Sequence, residues 1–119
     1  MMKTKKIVLV SLLMLVSLGL LAACSKMSQE EEYLTSGTWI DEVDWEWVFN
    51  EDGTLSVNSI TELGTGRWTY TEDGSTLARY YNFGGGDIPR HDHIKSINNS
   101  TMVLESIDFP GEVETWHKK

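Results

Sequence analysis

The stretch Trp45-Glu46-Trp47-Val48-Phe49-Asn50-Glu51-Asp52-Gly53-Thr54-Leu55-Ser56-Val57-Asn58 decides the fold class. Trp45, Trp47 and Phe49 alternate with Glu46 and Val48, a period of two that puts the three rings on one face of a strand. Asn50 to Gly53 is a tight-turn sequence, with Gly53 suited to positive φ. Leu55 and Val57 alternate with Ser56 and Asn58 on the return strand. The unit is a hairpin with one apolar face.

The same pattern continues downstream. Gly66, Trp68 and Tyr70 alternate with Arg67 and Thr69, and Glu72-Asp73-Gly74 turns the chain. Leu77 to Tyr81 reads as a strand, followed by a Gly84-Gly85-Gly86 loop and a strand over His93 to Ile97. Asn98-Asn99-Ser100 leads into Met102 and Leu104, and Pro110-Gly111 breaks the chain before a last strand, Val113 to His117. With Trp39 opening the series, about eight short strands are expected, and no stretch is long enough for a core helix. Strands with one apolar face remove their exposed edges by closing. The expected fold is therefore all-β, a small antiparallel up-and-down β-barrel over residues 37–119, with a two-sheet sandwich as the alternative.

Upstream, Ser28-Gln29-Glu30-Glu31 has capping-box spacing, and Tyr33 and Leu34 offer apolar contacts. One or two turns of N-terminal helix plugging one end of the domain are expected here, a disordered acidic linker being the alternative. Earlier still, Lys3, Lys5 and Lys6 precede an apolar run from Ile7 to Leu21. As a helix that run spans only ~22 Å at ~1.5 Å per residue, short of a hydrocarbon core of ~30 Å. A transmembrane anchor, or a secretory signal cut elsewhere, is the alternative to a short cleaved leader.

Leu21-Ala22-Ala23-Cys24 closes the run and resembles the lipobox of bacterial lipoproteins. The resemblance implies a signal peptide over residues 1–23, cut before Cys24, and a diacylglycerol on the Cys24 thiol. Residues 24–36 would then be the lipidated cysteine and its tether. Two acyl chains anchor stably where one binds reversibly, so the domain would sit on a membrane, facing outside the cytoplasm. Ser25 is not the Asp associated with inner-membrane retention, so a double-membraned host would send the protein outward. Lipidation would also remove the chain's one thiol from disulfide, metal or nucleophile chemistry.

Of ten basic residues three fall in the leader, which leaves seven bases against eighteen acids and a net charge of −11 from Cys24 onward. Such a surface repels phosphate backbones and anionic lipid, so nucleic acid is not expected as a partner. A span of 96 residues suits one domain.

Gly37-Thr38-Trp39, opening the first strand after a helical entry, resembles the Gly-x-Trp motif of lipocalins. Phe49 to Thr54, Gly66-Arg67-Trp68 and Trp116-His117-Lys118 are similar to the small lipocalin-like domains of bacterial lipoproteins. The resemblance implies a barrel whose open end admits a small apolar ligand. It also implies a basic residue packed under the motif tryptophan, a place only Lys118 or Lys119 could take.

Trp45, Trp47, Trp68 and Tyr70 fall on predicted inward faces. They either line an aromatic cup or fill a core that lacks disulfides; core filling is preferred. Two strands have ambiguous phase. If Leu77 and Tyr81 face in, so does Arg79, and if Trp116 faces in, so does Glu114. An inward Arg79 facing an inward Glu114 would mark a polar site. The other phase, with Ala78, Tyr80, Val113 and Thr115 inside, is slightly favoured. His91-Asp92-His93, with Asp87 and His117, looks metal-like, but no cysteine, third nearby His or fixed carboxylate completes a structural site, and no metal or other cofactor is expected. Asp41, Glu42, Asp44 and Glu46 read as a solvated rim. No nucleophile elbow, phosphate loop or His-Glu-x-x-His occurs, so no enzyme is expected.

Two functions follow as expectations. One is a lipid-anchored protein binding a small apolar or amphipathic molecule through Trp45, Trp47, Trp68, Tyr70, Arg79 and Tyr81. It requires a cavity of at least ~300 Å³. The other is a protein-interaction module with a solid barrel and a contact loop from Tyr81 to Arg90.

Overall fold

The hairpin of residues 45–58 supplies the second and third strands of a closed antiparallel barrel, in which eight strands neighbour one another in sequence order. The computed structural model describes residues 27–119. The expected leader, and Cys24 with it, lies outside the described residues. The strands are β1 (Thr38–Ile40), β2 (Glu46–Phe49), β3 (Thr54–Asn58), β4 (Leu63–Thr71), β5 (Thr76–Asn82), β6 (Ile88–Ile97), β7 (Thr101–Ser106) and β8 (Val113–Lys118). Trp39 stands opposite Trp47 on one side and Lys118 on the other, so β1 closes the barrel against β8. A single wrapped sheet replaces the sandwich alternative.

Before β1, helix α1 spans Gln29–Thr35. The Ser28 hydroxyl accepts the backbone N–H of Glu31 at 3.1 Å, the cap its spacing predicts. Acidic residues 30 to 32 occupy the first turn, where the helix dipole favours them. Leu34 is fully buried. Its carbonyl accepts the Trp39 indole N–H at 3.0 Å, so the helix is pinned to the barrel floor. Of the two lysines considered for the place beside Trp39, it is Lys118 that takes it, with Nζ 4.3 Å from the ring centroid. The same ammonium donates to the carbonyl of Tyr33 at 3.0 Å.

Connectivity sorts the loops into two ends. Helix α1 and the turns 50–53, 72–75 and 98–100 close the floor, and the loops 41–45, 59–62, 83–87 and 107–112 surround the mouth. Between them the interior is filled. Trp39, Trp47, Trp116, Phe49, Leu55, Leu77, Met102 and Leu104 are all at most 2 % exposed. Trp47 stacks on Trp116 at 5.3 Å, and Phe49 meets Trp68 edge-on at 5.7 Å.

Two local features depart from simple alternation. Strand β6 begins at Ile88, earlier than the His93 start expected, with Pro89 near its exposed end, where a missing N–H is tolerated. The register shifts between Ile94 and Ser96, a bulge that lets both Ile94 and Ile97 reach the core side. At Gly66 in β4, a Cβ would fall 1.9 Å from the Tyr80 carbonyl oxygen. Only glycine permits that approach of β4 to β5.

Candidate functional site

Strand β5 decides the chemistry of the interior. Leu77, Arg79 and Tyr81 are its buried residues, so Arg79 faces in. The outward phase favoured from sequence is corrected: Ala78 and Tyr80 are the half-exposed set, and on β8 Trp116 faces the core while Val113 is exposed. The reason is volume. With one tyrosine in each phase, Leu77 and Trp116 bury more apolar surface than Ala78, Val113 and Thr115 would, and that gain carries one charged side chain inward with them.

Arg79 is not paired with Glu114. Its Nη2 donates to Asp92 Oδ2 at 2.7 Å, with the two side chains 3 % and 2 % exposed. Asp92 stands on β6, opposite Leu77, one diagonal step from Arg79 on the same face. The guanidinium carbon lies 4.7 Å from the Trp47 ring centroid and 4.9 Å from that of Trp116. One charge is thus held by a carboxylate and two indoles, which offsets part of its desolvation. The middle residue of His91-Asp92-His93 therefore serves the interior, while the two imidazoles stay outside. His91 faces Asp108, Nδ1 to Oδ1 being 3.1 Å, and His93 Nδ1 lies 2.9 Å from the Gly74 carbonyl. Among the described residues no group of three metal-ligating side chains gathers.

Above the ion pair lies a mouth pocket of about 120 Å³, walled by Trp45, Trp47, Tyr81 and Trp116 and by Asp41, Arg79, Arg90 and Glu114. Asp41 is heavily hydrogen-bonded. It accepts the N–H groups of Val43 and Trp45 at 3.0 Å each and the Trp47 indole at 2.9 Å. It is thus a structural anchor of the β1–β2 loop rather than part of a solvated rim. Burial pushes the Glu114 carboxyl above its ordinary value; Arg79 opposes that shift and Asp41 adds to it.

The structure brings together Trp45, Trp47, Arg79 and Tyr81 from the residues expected to bind a ligand, and leaves two out. Trp68 has its backbone opposite Arg79, but its indole reaches the floor and donates to the Asn50 carbonyl at 2.8 Å. Tyr70 is half-buried and lines a shallow depression of about 340 Å³ with Ser28, Gln29, Glu30 and Glu72, at the helix end. That depression is larger, but polar side chains and two carboxylates form it and no buried donor faces it. The mouth pocket carries the more distinctive chemistry. Asp92 and Arg90 were missed from sequence; their period-two spacing from Ile94 is the signal that puts them inward.

No protein-family model, curated protein or solved structure matches the chain.

Proposed function

We propose that this protein is a lipid-anchored lipoprotein of the cell envelope, attached through Cys24, whose barrel is an interaction module that meets a protein partner with its mouth. The observation that carries the reading is the placement of the exposed apolar side chains. Val43, Ile60, Leu63, Ile88, Ile107, Phe109 and Val113 are all substantially exposed, Ile60 and Leu63 at 78 % and 75 %. Every one stands on a mouth loop or at the mouth end of a strand. Exposed apolar groups gathered at one end mark a contact surface.

The chain enters the barrel at the floor, so a lipid on Cys24 holds the mouth away from its own bilayer. Asp44, Glu62 and Glu112 interleave with the apolar rim, which favours a partner presenting basic and apolar residues. Among the described residues no helix is long and apolar enough to cross a membrane. A carrier of an apolar molecule is the second reading. The ring-lined wall of the mouth favours it, but the 120 Å³ pocket falls short of the ~300 Å³ such a ligand requires. Two tests apply. Intact-mass measurement of membrane-extracted protein should find residues 1–23 absent and a diacylglyceryl group on the new N-terminus; an uncut, unmodified chain refutes the anchor. A photo-crosslinking residue at Ile60 should give a discrete protein adduct in cells, and one at Glu51 on the floor should give none. Equal labelling from both positions, or none from Ile60, refutes the mouth as the contact.

A further inference from the structure

Four tryptophans are buried in the barrel, and three of their indole N–H groups have acceptors: Leu34, Asp41 and Asn50. The fourth, Trp116 Nε1, has none among the described residues, though its side chain is only 1 % exposed. Two further buried donors lack an acceptor, Arg79 Nε and Arg90 Nε. All three belong to residues that wall the mouth pocket. Buried N–H groups are nearly always satisfied by protein, ordered water or a bound group, and the three residues that carry these donors meet at one opening.

We propose that the mouth pocket is a carboxylate-binding subsite, in which Arg79 Nε, Arg90 Nε and Trp116 Nε1 donate to the two oxygens of one ligand carboxylate. A carboxylate offers about four lone pairs to donors and makes the stronger, charge-assisted bonds with guanidinium groups. A cationic ligand fits worse. The faces of Trp47 and Trp116 that would receive a cation already hold the Arg79 guanidinium, and Asp41 already accepts three N–H groups. A water needs roughly 10–15 Å³ by the same measure, so the 120 Å³ pocket admits a carboxylate and a few further heavy atoms. Glu114 shares the wall, and as a like charge it opposes the ligand. The subsite does not depend on the rim having a protein partner.

The test is an NMR titration of the full chain in detergent micelles, following the tryptophan indole N–H signals. Benzoate should shift the Trp116 signal saturably, and neutral benzamide, of the same shape, should not. Arg90→Gln should weaken benzoate binding about tenfold or more, while Glu114→Gln, with the like charge removed, should tighten it. A short peptide with a free C-terminus, run beside its amidated form, separates two sources. Tighter binding than benzoate by the free-acid peptide alone assigns a chain end, and binding by benzoate without the peptide assigns a small free acid. Equal response to benzoate and benzamide, no response to either acid, or weaker binding in Glu114→Gln overturns the subsite.

Discussion

Arg79 and Asp92 make a sharp energetic test, because the pair is sealed inside the barrel with Nη2 2.7 Å from Oδ2. Replacing Asp92 by Leu leaves the guanidinium buried beside two indoles without its hydrogen-bonded carboxylate. Replacing Arg79 by Met leaves a buried carboxylate instead. Breaking a buried pair from one side costs about 3–5 kcal/mol. At roughly 4–8 °C per kcal/mol for a domain of this size, each single variant should lose at least about 12 °C in Tm. Against a total stability of about 5–15 kcal/mol, that cost is a fifth of the whole or more. The double variant Arg79→Met/Asp92→Leu removes both charges and keeps most of the volume, and such replacements are often neutral or stabilising. It forfeits the contacts of Arg79 with Trp47 and Trp116, worth about 0.5–2 kcal/mol. Urea unfolding followed by tryptophan fluorescence should therefore find the double variant more stable than either single one. The coupling between the sites should be at least about 2 kcal/mol, against the ~0.5 kcal/mol within which independent sites add. Because the pair is shielded from solvent, the coupling should barely change with salt. Costs that simply add, or a coupling abolished by salt, would refute the argument that closure buries this pair away from bulk solvent. The double variant should also lose benzoate binding while remaining folded.

Other outcomes follow from single contacts. Lys118→Met removes the ammonium from Trp39 and from the Tyr33 carbonyl; a loss of about 1–3 kcal/mol is expected, with faster hydrogen exchange in α1 than in the strands. Gly66→Ala forces a methyl against the Tyr80 carbonyl, and a loss at or above the usual ~1–3 kcal/mol of overpacking should appear as a lowered urea midpoint. Glu114 holds its proton to higher pH in the folded chain than its ordinary 4.5, so the folded state binds more protons across that window. Its contribution is fullest below pH 4.5 and is lost as pH rises through the folded value. Glu114→Gln should accordingly flatten the decline in Tm above that pH and leave the variant more stable than the parent at neutral pH; a steeper decline would contradict the burial of this carboxyl.

The residues differ in how openly they declared their place. The hairpin 45–58 was legible because its rings alternate with polar residues on both arms and Gly53 takes a positive φ, here 90°. Ser28 declared itself by spacing alone, since a cap is settled within four residues. Trp68 takes the inward face that alternation predicts but stands apart from the mouth pocket. Alternation says which side of a strand a ring leaves from, not whether it tilts to floor or mouth; here the Asn50 carbonyl draws it down. Arg79 and Glu114 were ambiguous because each sits on a strand with apolar residues in both phases. Asp92 lay hidden between two histidines.

Period, turn chemistry and the capping residue are properties of neighbours along the chain, and from them came the strand count, the antiparallel order and the barrel. Trp47 and Trp116 stand far apart in sequence, and they stack only because β1 bridges β2 and β8 when the sheet closes. Closure also buries the Arg79–Asp92 pair beneath the mouth pocket and leaves three N–H groups without acceptors among the described residues. Which strand phase buries more volume, and which donors remain unfilled once it is buried, are sums over the whole interior, and no local stretch of residues contains them.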